Sequence, residues 1–122
     1  MKARRLPVDY LAGMAGVLRT LGHAFRLQIV ERLDRRGPAP GHRLLRELGG
    51  AQGALSQHLS KLRLTGVIRA ERRGREIWYG LASPDARTIL DCMRHRRKRR
   101  GAGPPRRFGR LGGVAAAKDN QL

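Results

Sequence analysis

Residues 53 to 63, GALSQHLSKLR, limit the fold more tightly than any other stretch of the chain. At about 100° per residue, Leu55, Leu59 and Leu62 fall on one stripe of a helix, with Gly53, Gln57, Ser60 and Lys61 opposite. The leucines require other elements to cover them. The outer stripe is short and hydrogen-bonding and lacks the Glu/Lys mixture of an ordinary solvated face. Amides and hydroxyls of this kind pair with base edges in a DNA major groove, whereas a plain polar surface helix is the alternative for the stripe taken alone.

The flanking sequence supplies the covering elements. Residues 8 to 21 carry helical periodicity at Leu11, Met14, Leu18 and Leu21, with Gly13 and Gly16 leaving room for a close neighbour. A second helix is expected over residues 24 to 35, with Phe25, Ile29, Val30 and Leu33 inward, ending at the Gly37-Pro38-Ala39-Pro40-Gly41 loop. Leu44, Leu45 and Leu48 give a short third helix stopped by Gly49-Gly50, and the fourth runs over residues 51 to 64 until Thr65-Gly66 closes it. Two helices joined by a brief glycine turn form a helix-turn-helix. Strand-prone residues over 67 to 71 and 76 to 81 flank Arg72-Arg73-Gly74-Arg75, which predicts a hairpin with three arginines at its tip. Ser83-Pro84-Asp85 then starts a last helix with Ala86, Ile89, Leu90 and Met93 on one side. The expected fold is mainly α with a small β-hairpin, in the order α-α-α-α-β-β-α.

Charge narrows the partners. The 122 residues make one domain's worth, and 27 Lys and Arg against 9 Asp and Glu give +18, a self-repulsion that a polyanion relieves. Nucleic acid is the first partner this implies and an anionic membrane surface the second. Residues 94 to 110 hold nine basic residues and no acid, yet residues 1 to 93 still hold 17 against 8. A domain over 1 to 97 and a basic, disordered tail over 98 to 122 are therefore expected. Cys92 is the one cysteine, which excludes an intrachain disulfide and a Cys-rich zinc site and fits a reducing compartment. The opening residues superficially resemble a signal peptide, but Asp9 and Arg19 bracket only a short apolar stretch that shares the helical periodicity. No segment approaches the roughly 20 apolar residues that span a bilayer, so the expected location is the cytoplasm, in association with the nucleoid.

In this order and spacing, LGHAFRLQIVERL at 21 to 33 and GALSQHLSKLRLTGVIRAERRGREIWYGLA at 53 to 82 resemble the ArsR type, the arsenic-repressor family of bacterial winged helix-turn-helix transcription regulators. The resemblance covers residues 8 to 97. It implies a homodimer through the first and last helices, for which Leu11, Met14, Leu18, Ile89, Leu90 and Met93 are the interface candidates, with intrachain core as the alternative for those faces. It also implies double-stranded DNA as partner, through a near-palindromic operator matching the two-fold axis. The family's metal sites do not carry over. Leu44 and Arg46 stand near the third-helix cysteine motif, and Arg87 occupies the place of a last-helix histidine. No metal and no cofactor is expected, and a small-molecule or redox effector remains unidentified. Asp91 and His95, one turn apart, read as an i,i+4 ion pair or as half of a metal site. Cys92 is a candidate redox sensor, although a buried structural thiol is the reading the sequence favours.

Gln57 is the first choice for base reading, since its amide can bond adenine N6 and N7 together. Gln52, Ser56 and Ser60 flank it, and Gly53 allows close backbone approach. Lys61 and Arg63 suit phosphate contacts, as do Arg72, Arg73 and Arg75, which could also enter a narrow minor groove. His58 lies about 60° from the leucine stripe and suits packing or a phosphate better than a base. Ala51 and Gly53 stand where many relatives carry serines, so the helix lacks a good N-cap and its first turn is expected to order on DNA. The function implied is a sequence-specific transcription regulator, a repressor. The alternatives are a nonspecific or architectural DNA-coating protein and a winged-helix interaction or RNA-binding module. No paired carboxylates, activated nucleophile or metal triad suggests an enzyme, and His23, His42, His58 and His95 are scattered.

Removing residues 98 to 122 is expected to lower affinity for every duplex alike and to flatten the dependence of log K on log salt, because the slope shrinks by about 0.9 for every phosphate the protein no longer neutralises. A salt titration with an unchanged slope would show that the tail does not reach DNA.

Overall fold

The leucine stripe of the fourth helix packs onto a second helix and onto a small sheet. In the computed structural model, which describes residues 3–100, the order is α1 (Val8–Leu21), α2 (Ala24–Arg36), β1 (Ala39–Pro40), α3 (Gly41–Leu48), α4 (Gln52–Leu64), β2 (Ile68–Arg73), β3 (Glu76–Leu81) and α5 (Pro84–Arg100). One core collects Leu21 from α1, Ile29, Val30 and Leu33 from α2, Leu44 from α3, Leu55, Leu59 and Leu62 from α4, Val67 and Ile68 beside the hairpin, and Ala86 and Leu90 from α5. Each such leucine contributes about 1.5–3 kcal/mol by leaving water.

The local chemistry explains where the elements stop. Gly66, with φ 77°, follows α4 in a Schellman arrangement: its N–H reaches the Arg63 carbonyl at 3.0 Å, and the Val67 N–H reaches Leu62 at 2.9 Å. Val67 and Leu62, both fully buried, make the apolar contact that accompanies this motif. Ser83 caps α5 by accepting from the Ala86 N–H at 3.1 Å, with Pro84 at the first helical position. The hairpin turns on Gly74-Arg75 alone. Gly74 has φ 63° and no non-glycine residue among those described has positive φ, the signs of a II′ turn whose twist matches the strands.

Three expectations change. Ala39–Pro40, expected as loop, is a short strand on β3, with Ala39 opposite Tyr79 and Pro40 opposite Trp78, so the sheet has three antiparallel strands in the order β1-β3-β2. An edge position suits Pro40, which has no N–H to give. Arg72 and Arg73, expected at the wing tip, belong to β2, where Arg73 stands opposite Glu76 and Arg72 opposite Ile77. Residues 98–100, expected in the disordered tail, continue the last helix to Arg100; residues 101–122 of the expected tail lie outside the described residues.

Charge fixes the helices relative to one another. Arg32, 3% exposed, donates from Nε to Glu47 and at 3.0 Å to the Gly37 carbonyl, tying α2 to α3. Asp34 accepts from Arg94 at 2.7 Å and Arg87 at 3.0 Å, holding α5 against α2, and the Arg94 hydrogen bond leads in pulling its carboxyl below the usual 3.8. Among the described residues no helix is long and apolar enough to cross a membrane.

Leu62, fully buried between α4 and the sheet, is the sharpest test of this packing. Leu62→Ala is expected to destabilise the domain by about 2–5 kcal/mol. A thermal melt should show the midpoint falling by about 10 °C or more; a shift of a degree or two would contradict the packing.

Candidate nucleic-acid interface

Burying Leu55, Leu59 and Leu62 turns the opposite side of α4 to solvent. Gln52, Gly53, Ser56, Gln57, Ser60, Lys61 and Arg63 are all exposed. Among the described residues no ion pair or hydrogen bond engages the side chains of Gln52, Ser56, Gln57, Ser60, Lys61 or Arg63. Gly53 has open space where a Cβ would stand. The predicted stripe is therefore an unoccupied polar face on a helix whose other side is anchored. Leu64 ends it at 86% exposure, an apolar group on that face which the sequence pattern did not single out; with Ser60 and Arg63 it lines a shallow recess.

Ala51 makes no side-chain cap hydrogen bond, as the sequence indicates, and α4 begins at Gln52. The Leu55 N–H bonds the Ala51 carbonyl at 3.0 Å, and the buried Leu55 side chain holds that first turn in place.

His58 is not on the interface. It is 4% exposed, with its ring 4.6 Å from His23 and 5.3 Å from Phe25, and an Arg26 guanidinium nitrogen 3.4 Å from Nδ1. The offset of about 60° from the leucine stripe leaves it within reach of the α1–α2 corner, which covers it. Its burial against His23 and Phe25 favours the packing role over a phosphate contact.

Beside α4, the hairpin carries Arg72, Arg73 and Arg75, all exposed. Strand parity puts Glu71, Arg73 and Trp78 on one face and Arg72 and Ile77 on the other. Arg73 lies 4.5 Å from the Trp78 ring centroid and 3.4 Å from a Glu71 oxygen, and Arg43 of α3 lies 5.6 Å from the same ring. Trp78 thus links the turn-side helix to the wing through two cation–π contacts. Arg73 is a braced cation, while Arg72 and Arg75 have no acid within ion-pair distance among the described residues. Glu76 is taken by His42, which also joins α3 to the wing. Arg69 lies across Gly80, where a Cβ would meet its guanidinium at 3.0 Å, and donates to the Leu81 carbonyl at 2.6 Å. Sequence reasoning missed Arg43, Arg69 and His42 because only the folded sheet brings them to the wing; the adjacent Arg-rich and aromatic runs were the available signal.

On the other side of the molecule, Leu11, Leu18 and Met93 are 47%, 53% and 40% exposed, and Met14 and Ile89 are half-buried. Gly13 and Gly16 have empty space beside them. Leu6, Val8 and Tyr10 extend this apolar surface. Leu90, expected in an interface, is 3% exposed and belongs to the intrachain core, because it faces α2 rather than outward. Cys92 is exposed, which overturns its reading as a buried structural thiol. Asp91 bonds Arg94 at 3.1 Å, so the expected pairing with His95 gives way to an i,i+3 contact. Among the described residues no three His, Cys, Asp or Glu side chains gather into a metal-holding group.

No family model matches the chain. The transcriptional regulator KmtR of Mycobacterium tuberculosis is 30% identical over 109 residues, covering 89% of this chain and 83% of that one. The crystal structure of the transcriptional repressor PagR of Bacillus anthracis superposes with a TM-score of 0.67 at 30% identity, covering 71% of this chain and 99% of that one. The homodimeric winged helix-turn-helix DNA-binding domain Mb0332 of Mycobacterium bovis gives 0.68 at 20% identity, covering 88% and 100%, a likeness of fold. With four helices, a wing and a last helix in the same arrangement, the chain belongs to the ArsR family of winged helix-turn-helix transcription regulators, which are not enzymes.

Proposed function

We propose that the protein is a repressor that binds a near-palindromic operator as a homodimer and blocks promoter access by occupying it. The observation that carries this is the outward side of α4: amides and hydroxyls without partners among the described residues, on a helix whose leucines are locked into the core. Gln57 reads a base, with Gln52, Ser56 and Ser60 beside it and Gly53 admitting the backbone. Lys61, Arg63, Arg72, Arg73 and Arg75 bind phosphates and set register. The apolar surface of α1 and α5 around Leu11, Met14, Leu18, Ile89 and Met93 meets its copy across the two-fold axis, so that two α4 helices address successive major grooves. Arg96, Arg97, Lys98 and Arg99, all exposed, add attraction independent of sequence.

Footprinting on genomic DNA tests the whole reading: a discrete protected palindrome supports it, whereas uniform coating would mean a nonspecific DNA-binding protein. Gln57→Ala is expected to weaken operator binding by about 1–3 kcal/mol with little change on random duplex; equal losses on both would remove Gln57 from base reading. Leu11→Glu with Leu18→Glu should yield a folded monomer in sedimentation, because two carboxylates cannot be desolvated in an apolar contact. Persistence of the dimer would place the interface elsewhere.

A further inference from the structure

Two imidazoles lie under the recognition helix, and base reading uses neither. His23, in the corner between α1 and α2, is 5% exposed and His58, midway along α4, is 4% exposed. Their hydrogen bonds dictate where the protons sit. His23 Nδ1 accepts the Phe25 N–H at 3.2 Å and so caps α2, which leaves the ring proton on Nε2, a buried atom with no partner among the described residues. His58 Nδ1 faces the Arg26 guanidinium, a group that can only donate, so His58 also keeps its proton on Nε2. Each ring has one lone pair, and both lone pairs are in use.

An additional proton therefore breaks something wherever it lands. On His58 it turns an acceptor into a donor pointed at Arg26. On His23 it displaces the Phe25 N–H and undoes the cap. The titratable and charged groups facing His58 are all basic: His23 from the corner, Arg26 from α2 and Lys61 from α4. Burial first, and then these neighbours, hold the His58 pKa below the usual 6.5. Arg26 also donates to the Thr20 carbonyl at 2.6 Å, so the guanidinium that meets α4 also grips the end of α1.

We propose that the His23–His58 pair is a proton-binding effector site, at which acidification unseats α4 from the α1–α2 corner and weakens DNA binding. This rests on the reading of α4 as the base-contacting helix. The direction follows from linkage: the seated form binds fewer protons than an unseated one, so seating is complete above about pH 6.5 and is progressively lost as pH falls below it.

Two arms test the pair separately from the operator reading. Without DNA, the imidazole C–H resonances and the α4 amide exchange rates are followed by NMR from about pH 7.5 to about pH 5.5. His58 titrating below the ordinary histidine range while α4 amides lose protection supports the proposal; an ordinary titration with unchanged protection overturns it. In the second arm, affinity for a duplex enriched from random oligonucleotides is measured over the same range. The wild type is expected to weaken by about tenfold or more towards the acid end of that range. His23→Asn with His58→Gln keeps a capping side chain and an acceptor for Arg26 without a titrating ring, and should flatten the profile. His95→Gln should leave it steep. A profile equally steep in the double variant overturns the proposal. If no sequence is enriched at any pH, the operator reading fails and the first arm alone judges the proton site.

Discussion

The burial of Leu55, Leu59 and Leu62 is the interaction on which the rest of the structure depends. These three side chains fix the rotation of α4 about its own axis, since a helix with one apolar stripe can satisfy only one orientation against the core. The same rotation settles which residues face outward. Gln52, Gly53, Ser56, Gln57 and Ser60 are presented to solvent as a consequence of what the leucines require. A recognition surface of this kind is held at its back, which leaves its front free for a partner.

The wing is placed by a different kind of force. Its strands are short, and exposed arginines at a hairpin end repel one another, so the hairpin has to be braced along its length. Trp78 between Arg43 and Arg73, His42 on Glu76 and Arg69 across Gly80 supply that bracing. Exposed pairs of this type contribute little stability individually, and their value is in limiting the angle between wing and recognition helix. At the far side, two arginines of α5 on the largely covered Asp34 join the last helix to α2, so that the apolar surface of α1 and α5 is held on the same rigid body as α4. The Arg26 bridge from Thr20 to His58 adds a polar link between those two regions.

Most of the architecture was legible in the chain because its signals are local. Helical periodicity placed α1 and the α2 boundaries to within a residue, Thr65-Gly66 ended α4, and Ser83-Pro84 began α5. The outward stripe of α4 was legible for the same reason: leucines at 55, 59 and 62 define its opposite. The hairpin was legible but displaced. An Arg-Arg-Gly-Arg run does not say which residues turn, and the ladder chose Gly74-Arg75 because only glycine takes the positive φ there. Ala39–Pro40 read as loop from composition, since a two-residue strand containing proline has no periodic signature and exists only because β3 offers it an edge.

The sequence by itself determined the helices, the wing, the polar reading face and the charge, since each follows from spacings of a few residues and from sums over the chain. Tertiary structure alone decided that His58 is buried beside His23, that Leu90 belongs to the core while Met93 stays exposed, that Cys92 faces solvent, and that Arg94 bonds Asp34 of α2 as well as Asp91. Arg26 and His58 are 32 residues apart, and Asp34 and Arg94 are 60 apart. Contacts across such distances depend on how whole elements pack, and no local periodicity encodes which side chains that packing brings together.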